Sequence, residues 1–155
     1  MSVPTEATFT RVFNAPRPLV FLAWTSRDHV ARWWGPKGFT SPRCEWDARP
    51  GGRIHIDMRS PNGWVYPMSG EFHEVKAPER LVFTSAALDE NGAPLFEVLN
   101  TLTFTEKGGR THMRLDVLVS GARPNTEAYL NGMQQGWNES LDRLEAELAT
   151  LNERN

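Results

Sequence analysis

The last thirty or so residues constrain this chain more than any other stretch. They read PNTEAYLNGMQQGWNESLDRLEAELATLNERN. Leu130, Met133, Trp137, Leu141, Leu144, Leu148 and Leu151 recur at steps of three and four, which is the period of one helix face. The spacing predicts a helix over about 126–152, roughly 40 Å long at 1.5 Å per residue. Asn125 or Thr126 is placed to cap its free N–H groups, and Glu127 puts negative charge in the first turn. Glu139 and Arg143, four apart on the other face, stand in the favourable order for an ion pair. Only one side of this helix is apolar, so it must lie along a surface of matching length. Gly132 and Gly136 interrupt the first half of the stripe, where glycine costs about 1 kcal/mol relative to alanine. Something there favours the absence of a side chain. The second half is an unbroken leucine stripe, built to pack.

The matching surface is read from the rest of the chain. Residues 6–14 alternate as a strand, with Ala7, Phe9, Arg11 and Phe13 on one side. Pro16 and Pro18 introduce a short apolar helix, LVFLAWTS, and Ser26 or Asp28 a second, DHVARWW, which Gly35-Pro36 ends. The stretch that follows is loop-rich, with a short strand expected at 43–47. Arg53 to Ser60 alternates Ile54, Ile56 and Met58 with Arg53, His55 and Asp57. Ser60-Pro61-Asn62-Gly63 then signals a hairpin. In WVYPMSGEFHEV, residues Trp64, Tyr66, Met68, Gly70 and Phe72 share a side, and Pro67 argues for an edge position or a bulge. Turns at 76–79, 89–92 and 107–109 separate three further strands. In the last of them Met113, Leu115, Val117 and Val119 share a face. Serial hairpins give an antiparallel meander, and seven twisted strands curl. The expected architecture is α+β: one curved seven-stranded sheet, two short helices after the first strand, and the terminal helix across the concave face.

Composition narrows the function. One domain spanning 1–155 is expected from the length. The net charge of −2 offers no electrostatic case for nucleic acid or an anionic membrane. No apolar run approaches the length of a transmembrane helix, and MSVPTEATFTRVF lacks the basic start and apolar core of a signal peptide. Cys44 is the single cysteine, so no disulfide forms within the chain and a reducing, cytoplasmic location is expected.

Chemistry-bearing motifs are sparse. His29, His55, His73 and His112 form no metal-ligating spacing, and one cysteine cannot build a thiolate zinc site; no metal and no cofactor is expected. There is no nucleophile elbow, phosphate loop or dinucleotide fingerprint. Cys44 reads as a small buried hydrophobe. His55 shares a strand face with Arg53 and Asp57, near Glu45 and Asp47 of the preceding strand. Facing inward, these groups can act as general acid and base; facing outward, they are a solvated surface with Ile54, Ile56 and Met58 behind them. Trp33 and Trp34 are adjacent in a helix and cannot point the same way, so one belongs to the core and the other to a cavity wall or mouth. The other interior candidates on the strands are Trp64, Tyr66, Met68, Phe72 and Phe83, followed by Val98, Leu102, Met113 and Leu115. The terminal helix adds Tyr129, Gly132, Met133, Gly136 and Trp137. Aromatic and methionine side chains are common in apolar pockets and in cores alike; the facing glycines tilt the balance toward a pocket.

The order of elements resembles the START-like superfamily, also called the helix-grip or birch-pollen-allergen fold. DHVARWWGPKGF, DARPGGRIHIDMRSPNGWVYPMSGEFHEVKAPERLVFT and GWNESLDRLEAEL, in that order over nearly the whole chain, are similar to the activator-of-heat-shock-protein-ATPase homologues (AHSA-like). The resemblance implies a cavity between sheet and helix. The expected activity is the binding of a small hydrophobic or amphipathic molecule there, without catalysis. Two alternatives stay open: a cavity enzyme of the polyketide cyclase or hydrolase kind, as some members of the superfamily are, and an interaction with a chaperone of the ninety-kilodalton heat-shock type.

Overall fold

In the computed structural model, the backbone of residues 6–124 and 127–154 and the side chains of residues 6–124 and 131–151 are described. The elements are β1 (Glu6–Phe13), α1 (Arg17–Thr25), α2 (Arg27–Trp33), β2 (Thr40–Trp46), β3 (Arg53–Arg59), β4 (Val65–Lys76), β5 (Arg80–Ala87), β6 (Glu97–Lys107), β7 (Arg110–Ser120) and α3 (Glu127–Arg154). The seven strands form one antiparallel sheet in the order β1-β7-β6-β5-β4-β3-β2. From β2 to β7 each strand pairs with its successor in sequence. The exception is β1, which pairs with β7, so α1 and α2 carry the chain from one edge of the sheet to the other. The expected α+β architecture, with its two short helices and long final helix, is the one observed. The capping role expected of Asn125 or Thr126 falls outside the described residues.

The local reasons are those the sequence carries. Gly108 and Gly109 join β6 to β7 with φ of 60° and 77°, the left-handed pair that a two-residue hairpin turn requires. Pro42 lies in the edge strand β2, between Thr40 and Arg43 where the β2–β3 register shifts, a place that tolerates a missing N–H. Strand β2 therefore begins three residues earlier than the expected 43. Pro67 is a correction: β4 is an interior strand, not an edge. Pro67 lies opposite Asp57 of β3, just beyond the last β4–β5 pair, Met68 with Ala87. Its carbonyl accepts from the Leu88 N–H at 3.0 Å, and with no N–H to return it cannot extend the β4–β5 ladder.

On β3 and β5 the concave-face row is packed at one end and looser at the other. On β3, Ile54 and Ile56 are fully buried while Met58 is only partly so. On β5, Leu81 and Phe83 are fully buried and give way to the smaller Ser85 and Ala87. The terminal helix repeats the gradient. Leu141, Leu144, Leu148 and Leu151 are buried, whereas Met133 and Trp137 are half-buried. Five of the six tryptophans meet in one aromatic cluster. Trp24 packs edge-on to Trp33 at 4.6 Å between centroids, Trp34 lies 5.3 Å from Trp46, and Trp137 lies 5.4 Å from Trp34. Trp33 and Trp46 donate their ring N–H to the carbonyls of Ala23 and Trp24, as buried indoles usually do, whereas the buried Trp24 ring N–H has no partner among the described residues.

Cys44 is buried on β2, and burial pushes its thiol up to about 11. The thiolate is the reactive form, so at neutral pH the native protein resists thiol-specific reagents and becomes fully reactive in denaturant. Rapid labelling of the native protein would contradict this placement.

Candidate functional site: an apolar cavity under the glycine half of α3

The loose ends of these rows border an open-sided cavity of about 320 Å³, within the range of small-molecule sites. Its roof is the first half of α3, with Gly132, Met133, Gly136, Trp137 and Ser140. The floor comes from Met58 on β3, Tyr66, Pro67 and Met68 on β4, Ser85 and Ala87 on β5, and Val98 on β6. The loop after α2 closes one side with Trp34, Gly35, Pro36 and Phe39. Phe96 completes the lining. The Phe39 and Tyr66 rings stand 6.1 Å apart.

The two glycines leave this space open. A methyl group built on Gly132 meets nothing within 4 Å, and one on Gly136 meets only the Pro36 Cγ at an ordinary 3.7 Å. Neither glycine is a close-packing device. Alanine at either position removes the helix-propensity penalty without a clash, and we expect a gain of about 0.5–1 kcal/mol. Urea denaturation at unchanged m-value measures it; a loss of stability in both variants would mean that the helix presses on the sheet there.

Of the sequence candidates, Trp34, Tyr66, Met68, Val98, Gly132, Met133, Gly136 and Trp137 are brought together around the cavity. Others are not. Trp33 is the core member of its pair, fully buried against Trp24. Phe72, Phe83, Leu102, Met113 and Leu115 share the concave face but lie at its packed end, each at most 2% exposed, and do not line the cavity. Trp64 lies in the β3–β4 turn and is 68% exposed: the hairpin reverses before the alternation carries it inward. The side chain of Tyr129 is outside the described residues. The lining also includes residues that sequence reasoning passed over. Ser85 and Ala87 continue the Leu81–Phe83 alternation and were legible from it. Phe39 and Phe96 sit in loops, where no period marks them.

The loop wall is fastened by two α3 side chains. Arg143 does not pair with Glu139 as its spacing proposed. Its Nη2 donates to the Arg32 carbonyl at 2.7 Å, and its Nη1 lies within 3.2 Å of the carbonyls of Trp34, Gly35 and Pro36. Arg32 and Trp34 end α2, where carbonyls lack helical partners; Gly35 and Pro36 belong to the loop beyond, and the Pro36 carbonyl also accepts from the Phe39 N–H at 3.0 Å. Burial lowers the guanidinium's pKa. Glu139 accepts from the Lys37 N–H at 3.0 Å and from the Gln135 amide at 2.8 Å. Those hydrogen bonds, Gln135's first, hold its carboxyl below the ordinary value.

The acid–base candidates face away. His55 and Asp57 hydrogen-bond to each other at 2.9 Å on the convex face, where Glu45, Arg43 and Arg53 surround a polar surface depression. Among the described residues, no Asp, Glu, His, Lys or Arg lines the cavity. No group of three or more His, Cys, Asp or Glu that could hold a metal ion occurs among the described residues, and no described helix is long and apolar enough to cross a membrane.

A curved antiparallel sheet gripping one long helix, with a cavity between them, defines a helix-grip α+β domain. This chain belongs to the family described as Activator of Hsp90 ATPase homolog 1-like protein, whose model matches residues 14–149. No curated protein matches it. Among solved structures it is similar to the AHSA1 protein of Silicibacter pomeroyi, at 26% identity and TM-score 0.80, over 94% of this chain and 98% of that one. A protein of Nitrosomonas europaea is likewise similar at 26% identity and TM-score 0.77, over 94% and 95% of the two chains. A protein of Arthrobacter aurescens, at 24% identity and TM-score 0.82 over 96% and 91%, shares the fold.

Proposed function

We propose that this domain binds a small, largely apolar molecule in the cavity between the sheet and the first half of α3, and does no chemistry on it. The observation that carries this reading is the lining: among the described residues it consists of aromatic, methionine and proline surfaces with three hydroxyls and no charged side chain. Apolar lining of this kind supports affinity through area removed from water, about 25 cal/mol per Å². An enzyme of the cyclase or hydrolase kind needs a proton donor or acceptor within reach of its substrate, and the histidine–carboxylate pair is on the other side of the sheet. The family's description names activation of Hsp90 ATPase; the cavity, rather than an outer face, is the feature this geometry offers. A cytoplasmic location belongs to the same reading and is supported by the lone, buried thiol.

Titration with an environment-sensitive apolar dye tests the proposal. Saturable binding of one dye per chain, with a melting temperature that rises with dye concentration, is the expected result. Absence of saturable binding across a broad set of apolar probes would overturn it.

A further inference from the structure

Beside the cavity sits a polar pair, Asn100 and the lining residue Ser85, that neither packing nor apolar binding requires. Asn100 lies on the concave face of β6 between Val98 and Leu102, is fully buried, and stands opposite Phe83 and Val117 of the flanking strands. Its Nδ2 donates to the Ser85 hydroxyl at 3.0 Å and sits 3.4 Å from the Phe83 carbonyl. Its Oδ1 is buried without a partner. Stability alone would favour leucine or valine in this row, because a buried amide that is only half satisfied is costly. What the amide does is turn Ser85. The Ser85 oxygen accepts from Asn100, so its own O–H is left to donate, and Ser85 lines the cavity.

We infer that Ser85, held by Asn100, is the hydrogen-bond donor that selects the ligand: a neutral, largely apolar molecule bearing an accepting oxygen, such as a ketone, ester or aryl ether. This rests on the binding reading above. Neutrality follows from the described lining, since a carboxylate or ammonium placed among these walls would meet no charged side chain of the described residues and would lose hydration. The other hydroxyls are less suited to the role of fixed donor. Ser140 lies on α3, where a serine can satisfy itself on the carbonyl four residues back. Tyr66 stands beside Phe39.

Three probes of similar shape test the inference by displacement of the bound dye: methyl naphthyl ketone, isopropyl naphthalene and naphthoate. The wild-type protein should bind naphthoate at least about 10-fold more weakly than the ketone. In Ser85→Ala the ratio of ketone to hydrocarbon affinity should fall on the order of 5-fold, with hydrocarbon affinity kept, the effect of one lost neutral hydrogen bond. Asn100→Leu should lower the same ratio although Ser85 is intact, which a merely structural role for Asn100 would not do. An unchanged ratio in Ser85→Ala, or naphthoate binding tighter than the ketone, would overturn the proposal. An unchanged ratio in Asn100→Leu alone would overturn the positioning role and leave Ser85 as donor. If neither neutral probe binds the wild-type protein, it is the cavity-binding reading that fails.

Discussion

Arg143→Ala should lower the unfolding free energy by about 3 kcal/mol, the largest effect of any single change to a side chain outside the apolar core. The guanidinium serves four backbone carbonyls where α2 ends and the cavity wall begins. Removing it leaves several of them, partly shielded from water, without a donor; hydrogen bonds to charged groups contribute about 1.5–3 kcal/mol each and are not additive. The same variant should weaken apolar probe binding, because Trp34, Gly35, Pro36 and Phe39 form one wall of the cavity. Arg143→Lys should recover less than half the loss: an ammonium is a compact point charge and lacks the planar fork that spans separate carbonyls. Urea denaturation of both variants measures this. A change within about 0.5 kcal/mol for the alanine variant, the range of ordinary surface substitutions, would show that solvent replaces the clamp at little cost.

Gly136→Leu should separate stability from binding. Its Cβ meets only Pro36 at 3.7 Å, so the rest of the side chain extends into the cavity beside Met133 and Trp137. Relief of the glycine penalty and added apolar burial should raise stability by about 1–2 kcal/mol. The occupied volume should lower affinity for an apolar probe at least about 10-fold, the trade-off expected when a functional void is filled. Asn131→Leu, on an exposed position of the same helix, serves as control and should leave binding unchanged. Unchanged probe affinity in Gly136→Leu, with stability raised, would place the ligand elsewhere.

The fold was legible because two periods dominate the chain: alternation in seven short stretches and the three-four stripe of α3. Tight turns between the strands then leave little choice of topology. The site was legible in part. Gly132 and Gly136 marked open space because glycine inside a helix needs a reason. The strands were harder, for a physical cause. Met68 and Phe72 lie on one face of β4, as Val98 and Leu102 do on β6, yet in each pair the first borders the cavity and the second is core. Periodicity gives the face of a side chain but not how far the helix stands from the sheet above it. Trp64 was misplaced because alternation was extended into a turn. Arg143 was read as half of a surface ion pair because a helix spacing cannot show a loop that returns from a hundred residues away. Asn100 gave no signal until its neighbours in space were known.

The five methionines of the chain offer the most direct test of the central claim. Met58, Met68 and Met133 line the cavity, while Met113 is 2% exposed in the packed part of the same sheet. With ¹³C-labelled methionine methyls, saturating isopropyl naphthalene should shift the Met58, Met68 and Met133 signals together, along one binding curve, and leave Met113 nearly still. Shifts absent at saturation, or appearing at Met113 without the other three, would contradict a ligand cavity beneath the glycine half of α3.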